Sequence, residues 1–198
     1  MNIKEKSIKF EHYETPEWAA KAILEKEPMG EFILDPCCGS GVLANAAFDR
    51  VHHVHCLDIH DWGYKYQHQI FDFLELKKFP FENEWSVFMN PPFSKACQFV
   101  EKSIELGAHK IVCFQRFAWW ESRKRKDFWQ KHPPSKVYIC GDRATCWRHD
   151  IPKNKHGKRY NPETGKELNG TPTAYAWFVW KKNHTGGTIL SHIYKEEK

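Results

Sequence analysis

The sequence predicts an α/β fold with a mostly parallel sheet, because short apolar runs alternate with segments of helical spacing. Three of these runs end at an acidic or amide residue: Phe32-Ile33-Leu34 at Asp35, residues 51–57 at Asp58, and residues 85–89 at Asn90. Helices between consecutive strands favour parallel pairing with right-handed crossovers. A chain of 198 residues suits one domain. We therefore predict a single domain over residues 1–198.

Helices are predicted between these strands. Thr15-Pro16-Glu17 offers a candidate N-cap followed by Pro at the first helical position, with apolar residues next at helical spacing. A second helix is predicted over residues 42–48, after a Gly-rich turn. A third is predicted over residues 96–106, with Gly107 as its stop and a strand over residues 110–114 after it.

The alternation of strand and helix patterns stops near the end of the chain. Residues 136–140 and 173–180 both have strand composition, and no helix is predicted between them, so these two strands can pair antiparallel. Residues 141–172, which we call the basic insertion, are rich in Lys, Arg, His, Asn, Gly and Pro. Irregular segments of this length are usually functional or disordered. We expect the basic insertion to be a candidate target-recognition segment.

Composition excludes several classes of protein. The hydrophobic fraction is 41% and the charged fraction 28%, which fits a packed domain with a polar surface. No apolar run is long enough to span a bilayer and residues 1–6 lack a signal-peptide stretch, so we expect a cytoplasmic protein without a membrane partner. Seven cysteines, two of them adjacent, suit reduced thiols better than a disulfide framework, and their spacing predicts no metal site.

Charge is distributed unevenly. Residues 1–118 carry 13 Lys and Arg against 17 Asp and Glu, whereas residues 119–198 carry 17 against 8. The imbalance points to a polyanion bound by the C-terminal half, or to an ordinary solvated basic face. The candidate phosphate contacts are Arg123, Lys124, Arg125, Lys126, Lys155, Lys158 and Arg159. Trp119, Trp120 and Trp147 could stack on bases or belong to the core.

The first motif is Asp35-Pro36-Cys37-Cys38-Gly39-Ser40-Gly41, at a strand-to-helix junction. Glycines there let the backbone approach a ligand closely, and the acid can order the turn or accept ligand hydrogen bonds. Asp58, at the end of the next strand, is placed to bind ribose hydroxyls. Asp72 and Phe73 could hold an adenine by its amine and its face. Gly39-x-Gly41-x-x-Ala44 with Asp58 also fits a dinucleotide fingerprint, which leaves an NAD-dependent oxidoreductase open.

The second motif is Asn90-Pro91-Pro92-Phe93, directly after an apolar strand. An aromatic amine is a poor nucleophile because its lone pair is delocalised into the ring. The Asn90 side-chain oxygen and the Pro91 carbonyl could each accept one N–H and favour a pyramidal nitrogen. The two prolines stiffen the loop, and Phe93 offers a face for stacking a base. Asn is a weak base, so orientation and electrostatics would supply the rate, with proton loss after transfer.

Together these motifs resemble class I S-adenosylmethionine-dependent amino-methyltransferases, most closely the N6-adenine DNA methyltransferases. The resemblance covers about residues 1–120. It includes His12-Tyr13-Glu14-Thr15-Pro16, which resembles the N-terminal segment that closes over the methionine part of the cofactor in that family.

The resemblance implies a Rossmann-like three-layer sandwich, with a seven-stranded sheet whose last strand is antiparallel. It implies S-adenosylmethionine as cofactor and a flipped adenine in DNA as target, at a flipping cost of about a few kcal/mol. The implied catalytic residues are Asn90, Pro91, Pro92 and Phe93. The implied cofactor-binding residues are Tyr13, Thr15, Pro16, Asp35, Pro36, Cys37, Gly39, Gly41, Asp58, Asp72 and Phe73.

The motifs fix the chemistry better than the substrate. An adenine or guanine in RNA, or a glutamine side chain in a protein, remains an alternative target, although the basic C-terminal half argues against a protein substrate. The chain is short for a methyltransferase with a large separate target-recognition domain, which leaves sequence specificity open. Oligomeric state is not predicted by any of these patterns.

Overall fold

The computed structural model describes residues 12–50, 53–79, 84–170 and 172–196. These residues form four α-helices: α1 Glu17–Lys26, α2 Val42–Phe48, α3 Ala96–Glu105 and α4 Lys126–Lys131. They also form ten strands: β1 Tyr13–Glu14, β2 Phe32–Asp35, β3 His53–Asp58, β4 Gln69–Ile70, β5 Trp85–Met89, β6 Lys110–Arg116, β7 Lys136–Cys140, β8 Trp147–Arg148, β9 Tyr175–Lys181 and β10 Ile189–Ile193. The strand predicted over residues 51–57 thus corresponds to β3, and its first two residues lie outside the described ones.

Eight of the strands form one sheet in the order β10-β7-β9-β6-β5-β2-β3-β4. Every neighbouring pair is parallel except those of β9, which is antiparallel to both β6 and β7. The Rossmann-like, mostly parallel α/β fold is therefore confirmed, as is the antiparallel pairing of the two late strands.

The sheet differs from the prediction in one detail, the strand that follows β9. β10 lies parallel to β7 at the edge, so the sheet has eight strands in the described residues and the antiparallel strand is not the last. β10 was not predicted, because Ile189 and Leu190 are both more than half exposed and only Ile193 of this strand is buried. A strand that buries one side chain lacks the alternation that marks a half-buried strand.

Helices cover both faces of the sheet. On one face α1 and α2 pack on a cluster that contains Ile23 and Leu43, and on the other α3 packs on a cluster that contains Phe99. Strand β9 serves both clusters, because Trp177 faces the first and Phe178 the second. The result is a three-layer sandwich.

The N-terminus of α1 differs from the sequence prediction. Pro16, not Thr15, occupies the N-cap position, and no side chain caps the helix. The Thr15 hydroxyl instead accepts a hydrogen bond from Asn90, 75 residues away.

The basic insertion contains no helix among its described residues, in agreement with its composition. It folds back on the start of the chain, where β8 pairs antiparallel with β1 in the register Tyr13↔Arg148. Within the described ranges, no helix is both long and apolar enough to span a membrane.

Candidate active site

A cavity of about 480 Å³ opens at the carboxyl ends of β2, β3 and β5. Because the loops after parallel strands converge at one edge of the sheet, residues distant in sequence meet there. The cavity wall includes Gly39, Asp58, Phe73 and Asn90. The two sequence motifs therefore lie on one site.

The Gly-rich loop needs its glycines at two positions. Gly39 and Gly41 have φ of +52° and +83°, a region that other residues rarely adopt. A Cβ on Gly39 would lie 2.6 Å from His12 Nε2, and one on Gly41 would lie 2.1 Å from the Tyr64 ring. The loop thus presents bare backbone to the cavity at Gly39. Gly41 itself is not on the cavity wall.

Asp58 ties the Gly-rich loop to the loop after β3. Its Oδ2 accepts the Gly39 N–H at 2.9 Å, and its Oδ1 accepts the His60 N–H and the Trp62 Nε1–H, both at 3.0 Å. The side chain lies on the cavity wall. A carboxylate can accept about four hydrogen bonds, so Asp58 keeps capacity for a ligand hydroxyl.

Asp35 lies beneath the cavity rather than on its wall. Its Oδ1 accepts the Cys37 N–H at 3.3 Å, and its Oδ2 has no hydrogen-bond partner among the described residues. Burial raises the pKa of Asp35 well above its usual range. The geometry favours the turn-ordering reading of this acid over direct contact with a ligand. The neighbouring Pro36 and Cys37 do line the cavity.

Asp72 and Phe73 also line the cavity. Asp72 Oδ1 accepts the Leu74 N–H at 2.9 Å and so caps a short 3-10 turn. Phe73 is buried, and its ring lies 5.3 Å from that of Phe99. Asp72 and the buried Phe73 are thus adjacent at the cavity wall.

The Asn90 side chain is oriented by the segment before α1. Its Nδ2 donates to the Tyr13 carbonyl oxygen at 2.8 Å and to Thr15 Oγ1 at 3.0 Å. A carbonyl oxygen can only accept, which fixes the amide nitrogen on that side. The amide oxygen is then the acceptor atom that Asn90 brings to the cavity wall.

The rest of the Asn90-Pro91-Pro92-Phe93 loop differs from the expectation. The Pro91 carbonyl accepts a hydrogen bond from Gln115 Nε2 at 3.0 Å, and Pro91 is buried away from the cavity wall. One of the two lone pairs of the Pro91 carbonyl oxygen is thus engaged. Pro92 lines the cavity. The Phe93 ring lies 5.5 Å from that of Tyr13, and the Arg116 guanidinium lies 4.3 Å from its centroid.

Sequence reasoning missed a group of aromatic residues that covers the Gly-rich loop. The His12 ring lies 4.2 Å from the Trp62 ring and stacks at 4.6 Å on that of His149. Burial, and then the neighbouring His149, lower the pKa of His12. No local pattern joins these residues, because they come from three separate segments of the chain.

The predicted cofactor-binding residues of the N-terminal segment lie on two different surfaces. Tyr13 and Thr15 lie on the cavity wall, whereas Pro16 lies on a separate, larger groove between α1, α2 and the basic insertion.

The predicted phosphate contacts fall into two groups. Arg123, Lys124, Lys126 and Lys155 are exposed. The other three have protein partners: Arg125 Nε donates to the Trp119 carbonyl at 2.8 Å, Lys158 pairs with Glu167 at 2.8 Å, and Arg159 pairs with Glu14.

Arg159 corrects the predicted phosphate contact, and Trp119 takes the core alternative of the two left open. The Arg159 side chain is only 8% exposed and also donates to the Ile151 carbonyl, so it holds the basic insertion together and does not face solvent. Trp119 is 5% exposed and packs in an aromatic cluster with Phe178. Aromatic packing of this kind is the commoner role of a tryptophan.

No protein-family model matches the sequence, and no curated protein is significantly similar to it. Solved structures do share its fold. A Pyrococcus horikoshii protein described as a proposed RNA methyltransferase superposes with a TM-score of 0.57 at 16% identity, over 92% of this chain and 93% of that one.

Two further neighbours are components of restriction systems. A modification subunit of a proposed type I restriction enzyme from Vibrio vulnificus gives a TM-score of 0.56 at 13% identity, over 94% of this chain and 48% of that one. A type I restriction-modification methyltransferase subunit from Streptococcus thermophilus gives 0.55 at 15% identity, over 91% and 47%. This chain spans about half the length of those two. At such identities the likeness establishes the fold: the chain has the Rossmann-like architecture of these methyltransferase structures.

Proposed function

We propose that this protein is an S-adenosylmethionine-dependent methyltransferase that acts on an exocyclic amine, with adenine N6 in DNA as its target. One observation carries the proposal. The Asn90 amide, with its nitrogen held by Tyr13 and Thr15, shares a cavity wall with the Gly39 backbone, Asp58 and Asp72. An oriented acceptor for an amine thus lies beside a wall suited to a nucleoside.

The chain's own residues fit the cofactor. A volume of about 480 Å³ falls in the range of small-molecule sites. Asp58 and Asp72 offer carboxylate oxygens to hydroxyl and amine donors, and the buried Phe73 makes the wall next to Asp72 apolar. Gly39 brings bare backbone to the wall, where a Cβ would lie 2.6 Å from Nε2 of His12, which lines the same cavity. When bound, S-adenosylmethionine supplies an electrophilic methyl group.

In this proposal Asn90 Oδ1 accepts one N–H of the target amine. That contact draws the nitrogen lone pair out of conjugation with the ring and orients it. The buried Asp35 carboxyl lies off the cavity wall, so it is badly placed to remove a proton before transfer. The proton leaves after transfer, when the nitrogen is cationic. A base stacked on Phe93 would have to displace the Arg116 guanidinium from that ring.

Nucleic acid is the proposed substrate because of the exposed cations near this edge of the sheet. Arg123, Lys124 and Lys126 follow β6, and Lys155 lies in the basic insertion. If these four contact phosphates, log K should fall against log salt with a slope near −4, since each contact contributes about −0.9. Lys124→Glu should make the slope shallower by about one. A slope near zero would remove nucleic acid from the proposal.

The experiment that tests the whole proposal is transfer of a tritiated methyl group from S-adenosylmethionine to separate DNA, RNA and protein pools. We expect label in DNA, recovered as N6-methyladenine. Label in RNA or protein alone would reject the DNA assignment while keeping the chemistry. Binding of NAD with no affinity for S-adenosylmethionine, measured by calorimetry, would reject the chemistry.

A single variant tests the catalytic acceptor. Asn90→Ala should abolish transfer while cofactor affinity stays near that of the wild type, because the acceptor of the target amine is lost. Asn45→Ala, an exposed amide on α2, is the matched control and should retain activity. Undiminished turnover by the Asn90 variant would contradict the assigned role.

A further inference from the structure

The segment before α1, residues 12–16, borders the cavity through residues 12–15 and contacts Asn90 of the catalytic loop. We call it the N-terminal strap. Both polar contacts of the Asn90 amide nitrogen are to this strap, one to the Tyr13 carbonyl and one to Thr15 Oγ1. Side-chain amides in loops normally choose among several partners, water included. Here both N–H groups are taken by the same short segment.

The Thr15 hydroxyl is placed for this contact at the expense of its ordinary local role. A Thr just before a helix usually caps it by accepting a backbone N–H of the first turn. Here α1 has no side-chain cap, and the Thr15 oxygen accepts from Asn90 instead. The residue is only 5% exposed, so water competes weakly for that oxygen.

The strap is itself held from two sides. Its strand β1 pairs with β8 of the basic insertion, and Glu14 forms an ion pair with Arg159 of the same insertion. On the cavity side, Ser40 Oγ of the Gly-rich loop donates to Glu14 Oε1 at 3.2 Å. Thr15 therefore lies in a segment whose position is fixed by both the cofactor loop and the insertion.

We infer that Thr15 is a positioning residue: once the Tyr13 carbonyl has set which way the Asn90 amide faces, the Thr15 hydroxyl holds that amide in place so that Oδ1 meets the target amine. This inference rests on the proposed function. A flipped amide would set a donor against the N–H of the substrate and an oxygen against the Tyr13 carbonyl, and both arrangements are repulsive. The Tyr13 carbonyl excludes the flip, and Thr15 removes the remaining freedom of the side chain to rotate away.

The test uses Thr15→Val, which keeps the shape of the side chain and loses the acceptor, and Thr15→Ser, which keeps the acceptor. Loss of one such hydrogen bond should lower kcat about five- to ten-fold in the Val variant, with KM and cofactor affinity within about two-fold of the wild type. Thr15→Ser should restore most of kcat.

A second readout does not depend on turnover. The side-chain amide protons of Asn90, assigned in NMR spectra by their disappearance in Asn90→Ala, should be protected from solvent exchange in the wild type. Thr15→Val should release one of the two, and Thr15→Ser should restore its protection.

The outcomes separate the two proposals. If the wild type transfers no methyl group but the NMR pattern holds, the proposed function fails and the orientation of Asn90 stands. Unchanged kcat and exchange in Thr15→Val would overturn the positioning role. So would a drop in kcat that Thr15→Ser cannot rescue, since that drop would mark a general structural defect.

Discussion

Glu27 offers a stability prediction that the structure specifies closely. Its side chain is 1% exposed at the amino edge of the sheet, opposite the cavity. It accepts hydrogen bonds from Lys136 Nζ at 2.7 Å, from the Tyr138 hydroxyl at 2.8 Å and from Lys110 Nζ at 3.1 Å. Lys181 Nζ lies 3.9 Å away. Glu27→Gln removes the one negative charge at the centre of this group and changes the volume very little.

The magnitude follows from which lysines can escape to water. The Lys136 and Lys181 side chains are 28% and 41% exposed, so they can be rehydrated, whereas that of Lys110 is 8% exposed. Leaving one partner of a buried ion pair without its counter-charge costs about 3–5 kcal/mol. Since only Lys110 is so deeply buried, we expect a loss of about 3 kcal/mol, or a drop in Tm of roughly 6–12 °C.

Urea denaturation at pH 7 and thermal melting measure this loss. Glu25→Gln is the matched control, because Glu25 pairs with Arg50 at the surface and should matter by less than about 1 kcal/mol. Adding Lys110→Met to Glu27→Gln should regain much of the stability, since an apolar replacement of a buried pair is often tolerated. A free energy of unfolding for Glu27→Gln within about 0.5 kcal/mol of the wild type would refute the reasoning.

The same group sets a pH dependence. Burial alone would raise the pKa of Glu27, but hydrogen bonds from Lys136, Tyr138 and Lys110 outweigh it and hold the pKa below its ordinary value of 4.5. A carboxyl whose folded pKa is depressed stabilises the fold above its unfolded pKa and loses that effect as the pH falls through the folded value. The stability gap between the wild type and Glu27→Gln should therefore be constant at neutral pH and shrink below pH 4.5. A gap that widened in acid would contradict the sign.

Two further predictions concern the cavity and the basic insertion. Gly39→Ala should weaken cofactor binding, measured by calorimetry. At φ of +52° a non-glycine residue costs about 1–2 kcal/mol, and the new Cβ would lie 2.6 Å from His12 Nε2. The control is Gly63→Ala, at φ +77° in open space off the cavity wall, which should leave cofactor affinity unchanged. Arg159→Met should speed proteolysis of the insertion by removing the partner of Glu14, whereas Lys155→Met should not; equal cleavage of the two variants would count against the ion pair.

Much of the fold was accessible from sequence because its signals are local. Apolar runs that end at Asp35, Asp58 and Asn90 marked three parallel strands, and the carboxyl ends of such strands meet at one edge. The structure places Asp58 and Asn90 on one cavity wall, with Asp35 buried off that wall. Strand β10 was not predicted because it buries only one apolar side chain, that of Ile193.

The contacts that the sequence could not reveal are polar and long-range. Gln115 and Pro91 come from different strands and their loops, and neither shows a motif that announces the hydrogen bond between them. The local sequence predicts Thr15 as a helix N-cap, whereas in the folded chain its hydroxyl accepts a hydrogen bond from Asn90. At this position a tertiary hydrogen bond overrides the local capping preference of Thr, which is common at functional sites.

Net charge was the least discriminating signal, because it counts structural and solvated cations alike. Arg159 and Lys155 are four residues apart in one basic run, yet the first is buried against Glu14 and the second is exposed. Removing the first should change stability and leave the salt dependence of the proposed nucleic-acid binding alone; removing the second should do the reverse. Strand β8 of the same insertion pairs with the N-terminal strap, and Arg159 pairs with Glu14 of that strap. Because the strap hydrogen-bonds Asn90, Arg159 can affect the proposed reaction without contacting the substrate.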